Sequence, residues 1–180
     1  MKDFEPLDFL PIHNLYYEYK ILEQNKIIKE DLDQVCLTTT PNNPDDYLLG
    51  IGSLVKNWDE KQSVQAPINQ SPLEEKDFSM LCTVFKNTIF EEVYNELTKH
   101  YKIGRLRIMR SRSKTCLSWH YDHHKRIHYV MRTGFGNMMV IENTAMHLPK
   151  NTWWLTDTTK YHTAVNASMV DRYHLVGTVL

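Results

Sequence analysis

The chain has little cysteine, almost no net charge and no long apolar run. Its three cysteines, Cys36, Cys82 and Cys116, are odd in number and far apart. That pattern excludes a disulfide framework and a paired-cysteine zinc ribbon, and makes a reducing cytoplasm the expected compartment. A formal net charge of -1 over 180 residues gives no bulk attraction to nucleic acid or to an anionic membrane. Nowhere do about eighteen apolar residues run together, and the opening Met-Lys-Asp-Phe-Glu-Pro has no apolar signal core. Neither a membrane span nor secretion is expected. What remains is an ordinary globular composition, 42% hydrophobic and 24% charged, in a length that suits one domain over 1–180.

The first 104 residues read as helical support and loops. Leu15, Tyr16, Tyr19 and Leu22 recur at helical spacing after Pro11, which predicts a helix near 12–25. Thr88-Ile89-Phe90-Glu91 fits a capping box, and Ile89, Phe90, Val93, Tyr94 and Leu97 form an apolar stripe, which predicts a second helix over about 88–100. Leu37-Thr38-Thr39-Thr40 is β-prone and runs into the turn-forming Pro41-Asn42-Asn43-Pro44. Residues 56–72 are polar, with Pro67 and Pro72, and read as a long surface loop, either one that approaches a pocket mouth or a plain connector. No internal repeat, low-complexity tract or domain boundary interrupts the chain.

From Arg105 the pattern changes to short β-prone runs separated by turn residues. Strands are predicted near 105–112, 115–122, 126–132, 137–143, 152–156, 162–166 and 172–179. Seven short strands behind two helices suggest a β-sandwich or distorted barrel, whose mouth gathers residues from several strands.

The candidate site lies in this half. In a strand, side chains at i and i+2 share a face, so His120-Tyr121-Asp122 offers an imidazole and a carboxylate to one ion. His162, from a distant strand, adds a second imidazole. Two His and one carboxylate leave coordination positions open, the arrangement non-haem Fe(II) uses to hold a cosubstrate and O₂. Arg172, further along, supplies the fork that would hold an acid reaching that metal.

The set His120-x-Asp122, Arg126-Ile-His128, Trp154-x-x-Asp157, His162-x-x-x-Asn166 and Arg172-Tyr-His174-Leu resembles the aspartyl/asparaginyl β-hydroxylase family, which includes free-proline hydroxylases. The resemblance runs from about Arg105 to the C-terminus and is faint before it. It implies a mainly β chain with N-terminal helices, built as a double-stranded β-helix (cupin-like jelly roll), and a dioxygenase dependent on Fe(II), 2-oxoglutarate and O₂. It further implies that His120, Asp122 and His162 ligate iron, that Arg172 pairs with the distal carboxylate of 2-oxoglutarate, and that His128, with Arg126, lies beside the cosubstrate. The implied reaction is hydroxylation of an amino acid of Asp, Asn or Pro type, free or within a peptide or protein. Some members lack the carboxylate ligand; Asp122 places this chain with the complete triad, the branch that contains the free-amino-acid hydroxylases.

Other residues keep alternatives open. Asp157 orients a ligand or closes a turn; Asn166 lines the pocket or is a satisfied strand-end amide; His174 lines the pocket beside Arg172 or is a core histidine. His123 and His124 are exposed or face the substrate. Trp153 and Trp154 alternate faces, one core and one outside, and the resemblance makes Trp154 the inner one. The basic run Arg105, Arg107, Arg110, Arg112 and Lys114 reads as a charged sheet face, with Arg110 or Arg112 turned inward to meet an anionic substrate. Two rival readings remain. Iron- and 2-oxoglutarate-dependent nucleic-acid demethylases share His-x-Asp and a distant His, although the chain is not basic overall and lacks their wider Arg spacing. A non-oxidative cupin, with zinc on His120, His123 or His124 and His162, would have no need of Arg172.

Overall fold

In the last half of the chain, consecutive strands are dealt between two sheets. The computed structural model describes residues 2–52, 54 and 73–180; the loop expected over 56–72 lies outside the described residues. In chain order the strands are β1 (Phe4–Leu7), β2 (Gln34–Cys36), β3 (Thr38–Thr39), β4 (Met80–Leu81), β5 (Ile103–Ser111), β6 (Thr115–Cys116) and β7 (Arg126–Arg132). Then come β8 (Asn137–Ile141), β9 (Thr144–Met146), β10 (Trp153–Thr156), β11 (His162–Asn166) and β12 (Arg172–Val179). The helices are α1 (Leu15–Gln24) and α2 (Ile89–His100).

The larger sheet has the order β1-β10-β7-β12-β5-β2 and the smaller β6-β11-β8-β9, with all pairs antiparallel. Of the last eight strands, the first pairs with the eighth and the second with the seventh. That nesting is the double-stranded β-helix, or cupin-like jelly roll, and the described residues are mainly β with two α-helices.

Period-two alternation on the larger sheet explains how one sheet serves two environments. Leu106, Ile108, Ile127, Tyr129, Tyr173 and Leu175 point to one face and pack with Leu15, Tyr19 and Leu22 of α1 and Phe90, Val93 and Leu97 of α2. The intervening residues point between the two sheets. There a smaller apolar cluster of Phe4, Val130, Met139, Ile141 and Leu148 ties the sheets together. All three cysteines are free, Cys36 and Cys82 buried and Cys116 exposed.

Several local expectations change. The capping box of α2 is displaced: Thr88 Oγ1 accepts from the Phe90 amide (3.2 Å), while Glu91 accepts from the Asn87 amide (2.6 Å) instead of that of Thr88. The strand expected over 115–122 is ordered as a strand only at Thr115–Cys116, followed by an isolated bridge between His120 and His162. The run 137–143 is a hairpin, because Glu142 takes a positive φ of 48° and turns the chain back into β9 without the Asn-Gly signature of such turns. β1 contains Pro6 and pairs with β10 at the sheet's edge, where a missing amide costs little. With β2 on the opposite edge, the first 104 residues supply strands as well as helices. Of the two tryptophans, Trp153 is buried among the residues under the helices, and Trp154 packs against the inter-sheet cluster; neither is an outside residue.

Gly104, at the start of β5, lets a short 3-10 turn at Glu75–Asp77 lie against the sheet, since a Cβ there would come 2.5 Å from the Glu75 carbonyl oxygen. Backbone cannot step aside as a side-chain tip does. Gly104→Ala is expected to lower stability by about 1–3 kcal/mol, read from the urea midpoint at unchanged m value.

Candidate functional site

The inner face of the larger sheet is unusually polar. Arg105, Arg107 and Met109 from β5, Arg126 and His128 from β7, and Arg172, His174 and Val176 from β12 line a cavity of about 630 Å³, which Met139, His162 and Ala164 close from the smaller sheet. Register sets their levels: Val176 is opposite both Arg107 and His128, and Arg172 is opposite Ser111.

His120 and His162 are joined by the main chain. The His120 amide donates to the His162 carbonyl (3.0 Å) and the His162 amide to the His120 carbonyl (2.7 Å). Paired in this way, the two side chains leave on the same side, with ring centroids 4.3 Å apart. Each ring then uses Nδ1 against a backbone carbonyl, His120 on Ser118 (2.7 Å) and His162 on Lys160 (3.0 Å). A carbonyl only accepts, so Nδ1 carries a proton on both rings and Nε2 is the nitrogen left to face a metal. Burial holds the His162 pKa below its ordinary value, which favours the neutral ring.

Asp122 leaves the strand pattern and sits in a loop, fixed by its amide on the Thr158 carbonyl (2.8 Å). Its Oδ2 lies 3.9 Å from His162 Nε2. Two ligands at right angles on one ion, each at roughly 2.1 Å, would be about 3.0 Å apart, so the carboxylate stands about 1 Å further out. Accordingly, among the described residues no three His, Cys, Asp or Glu side chains already meet at one ion-sized point. The donors nonetheless fit a divalent metal in kind: two imidazoles whose Nδ1 atoms are already used, leaving Nε2, and one ionised carboxylate beside them. Burial opposes the charge on Asp122, but the Arg126 guanidinium outweighs it and holds the carboxyl below the usual range.

Arg126, expected beside a cosubstrate, is already engaged. Its Nε donates to Asp122 (2.9 Å), its Nη2 to Glu75 (3.1 Å) and its Nη1 to Thr178. Glu75 in turn accepts from Arg105 Nε and Nη2 (3.0 and 2.8 Å) and from the Thr178 hydroxyl (2.8 Å). Burial opposes ionisation of Glu75, yet Arg126, Arg105 and Arg107 together depress its pKa. Sequence reasoning missed Glu75. It lies in a polar stretch with no periodicity, and only the approach permitted by Gly104 brings it to the cavity.

Arg172 stands apart. Among the described residues it has no hydrogen-bond or ion-pair partner, its Nε is buried and unpaired, and burial alone lowers its pKa to about 10. Among the described residues neither ring nitrogen of His128 has a partner, nor has Nε2 of His174; the two rings meet edge to face at 5.7 Å. Burial, reinforced by Arg172 and Arg126, lowers the His128 pKa to about 3, and burial with Arg172 puts His174 well below its ordinary value. Both are neutral at pH 7.

The remaining residues divide cleanly. His124 lines the cavity. Asp157 closes the turn ahead of His162, its carboxylate accepting from Thr159 (2.5 Å) and its carbonyl from the Lys160 amide (3.3 Å). Asn166 is a satisfied amide, donating to the Ser111 and Val170 carbonyls and accepting from Ser168. Trp154 faces between the sheets but bonds Thr152 (2.7 Å) and does not line the cavity. Arg110 and Arg112 are placed elsewhere than expected. Arg110 lies on the helix-facing side, paired with Asp31 and Asp171, and Arg112 is exposed, paired with Asp31 and Asp33. Strand parity is the reason: with Leu106 and Ile108 turned to the helices, the arginines that enter the cavity are Arg105 and Arg107.

No family model and no curated protein matches the chain. Among solved structures it is similar to a truncated form of the viral collagen prolyl hydroxylase of Paramecium bursaria Chlorella virus-1, at 11% identity over 99% of this chain and 91% of that one, with a TM-score of 0.48. It is similar also to a 2OG-Fe(II) oxygenase family oxidoreductase of Burkholderia pseudomallei (14% identity, 53% of each chain, TM-score 0.40). A third is a cupin domain of Bordetella pertussis (12% identity, 44% of this chain and 83% of that one, TM-score 0.39). The fold assignment rests on the strand order itself. Among the described residues no helix is long and apolar enough to cross a membrane.

The Glu75 clamp sets a pH dependence. Its folded pKa is depressed from 4.5, so its contribution is present above that pH and lost as pH falls through the folded value. Glu75→Gln is expected to be about 3–5 kcal/mol less stable at pH 7 and to lack this part of the acid limb, measured by urea unfolding between pH 3 and 7.

Proposed function

We propose that the chain is an Fe(II)- and 2-oxoglutarate-dependent dioxygenase that hydroxylates an amino acid, free or within a peptide or protein, with Asp, Asn and Pro as the candidates from resemblance. The observation that carries this reading is Arg172, a guanidinium with a buried Nε and no partner among the described residues, in the same cavity as two imidazoles whose Nδ1 atoms are bonded to backbone carbonyls. A buried cation without a counter-ion is costly, and a side-on Arg fork matches a carboxylate. A zinc-only site offers no anion for it.

His120, Asp122 and His162 would hold the iron, and bound there the metal supplies the activation of O₂ coupled to oxidation of 2-oxoglutarate. The protein's work is arrangement. The backbone pair keeps the two imidazoles at one spacing. Arg126 keeps Asp122 ionised and turned to them, thus acting on the ligand and not on the cosubstrate. Arg172 orients the distal carboxylate of 2-oxoglutarate, and the neutral His128 and His174 offer ring nitrogens to its other polar atoms without adding charge.

Anaerobic titration of the apo-protein with Fe(II) and then 2-oxoglutarate is expected to give the visible charge-transfer band of the chelate. Asp122→Ala and His162→Ala should abolish the band and turnover while the fold survives. Arg172→Ala should raise the 2-oxoglutarate midpoint at least tenfold, about 1.4 kcal/mol or more, and Arg172→Lys should not restore it. Tight zinc binding with no band would favour the non-oxidative cupin instead, and a fully active Asp122→Ala would remove that residue from the ligand set.

A further inference from the structure

Arg172 is not the sole cavity guanidinium without a direct ion pair among the described residues. Of the four that line the cavity, Arg105 and Arg126 share Glu75, and Arg126 also holds Asp122. Arg107 has no carboxylate partner among the described residues. Its Nη1 alone is engaged, donating to Gln34 Oε1 (2.8 Å) and to the Gly52 carbonyl (3.0 Å). Its Nε is buried and unpaired, although the residue is only 6% exposed. Gln34 is itself fixed, accepting from the Gly52 amide (2.9 Å), so the guanidinium is held by one corner while Nε and Nη2, its side-on edge, have no partner among the described residues. Arg105, two residues before on the same face, shows what such an edge takes: its Nε and Nη2 grip both oxygens of Glu75.

Arg107 and Arg172 are separate sockets. Val176, level with Arg107, is four residues along β12 from Arg172, a backbone distance of roughly 13 Å. Neither guanidinium is among the charges acting on the other. Burial, and then repulsion from Arg105 and Arg126, lowers the Arg107 pKa to about 9, the condition of a cation that an incoming anion would relieve. A carboxylate is the group whose two oxygens match the free edge.

We propose that Arg107, held by Gln34 and Gly52, is a second carboxylate socket, and that the primary substrate presents a carboxylate to it. The substrate class is then a free amino acid bound through its own carboxylate, or a residue with an acidic side chain, and not a neutral side chain inside a peptide. The socket follows from the geometry alone; its assignment to the substrate rests on the dioxygenase reading, in which Arg172 serves the cosubstrate.

The test uses the metal-free full chain, with folding checked by circular dichroism. Its thermal midpoint is followed in sodium acetate against sodium chloride at equal ionic strength, in Arg172→Met and in the double variant Arg107→Met/Arg172→Met. Arg172→Met should keep an acetate-dependent rise that the double variant loses. If the double variant does not fold, Arg107→Lys in the Arg172→Met background keeps the charge and should need at least tenfold more acetate. Equal acetate responses in the presence and absence of Arg107, or of its guanidinium, would overturn the socket. The 2-oxoglutarate midpoint of the charge-transfer band should be unchanged in Arg107→Met; a tenfold rise there would give Arg107 to the cosubstrate and overturn the substrate assignment. An Arg107-dependent acetate response with no band in the wild type would leave the socket standing and remove the dioxygenase reading. Two further arms separate the sources. L-proline against prolinamide tests a free carboxylate, and a capped peptide with one internal aspartate against its asparagine analogue tests a side chain. Arg107-dependent stabilisation by either acid over its amide supports the proposal and names the source, whereas none from either overturns the substrate assignment.

Discussion

One carboxylate, Glu75, makes the polar interior of this jelly roll tenable. The inner face of the larger sheet gathers several guanidinium groups into a space where an unpaired charge is expensive. Glu75 accepts from Arg105 and Arg126 at once, and through Arg126 its influence reaches Asp122. The clamp depends on backbone proximity, because Gly104 leaves no Cβ between the 3-10 turn and β5. A glycine at a strand start, a glutamate from a loop and an arginine on the central strands thus act as one unit. Its output is the charge and direction of a single carboxylate beside two histidines.

Against that balanced group, the unbalanced ones become informative. Arg172 and Arg107 sit on the same face, in the same cavity, and neither has an ion-pair partner among the described residues. The chain had the means to compensate them, since it does so for their neighbours. Leaving two forks open in a buried site costs stability, a cost that an anion bound to either would offset.

Much of this was legible before any coordinates. Helical spacing placed both helices within a few residues of their ends, and the β-prone runs placed most of the jelly-roll strands, because each signal is local. His120, Asp122, His162 and Arg172, picked out by residue type and by family resemblance, line one cavity. What failed was information carried by contacts. The choice between Arg107 and Arg110 turns on the parity of β5; Leu106 and Ile108 contained that parity, but a charged side chain was read as an exposed one. Glu75 belongs to no pattern at all. Asp122 was expected on a strand face and instead reaches the histidines from a loop, fixed by Thr158. β1 was not expected at all, and its edge location shows only in the sheet order.

That edge strand has a further consequence. β1 covers the outer side of β10, and just before it the Asp3 carbonyl accepts from Asp157 while its carboxylate pairs with Lys160, in the turn that leads into His162. A protease that clips the chain past Leu7 therefore does two things at a distance from the cavity. It loosens the turn that presents one histidine, and it strips β10 of its neighbour, leaving a row of open amides and carbonyls ready to recruit a strand from another molecule. For this architecture, fraying at one terminus is a route to edge-to-edge aggregation.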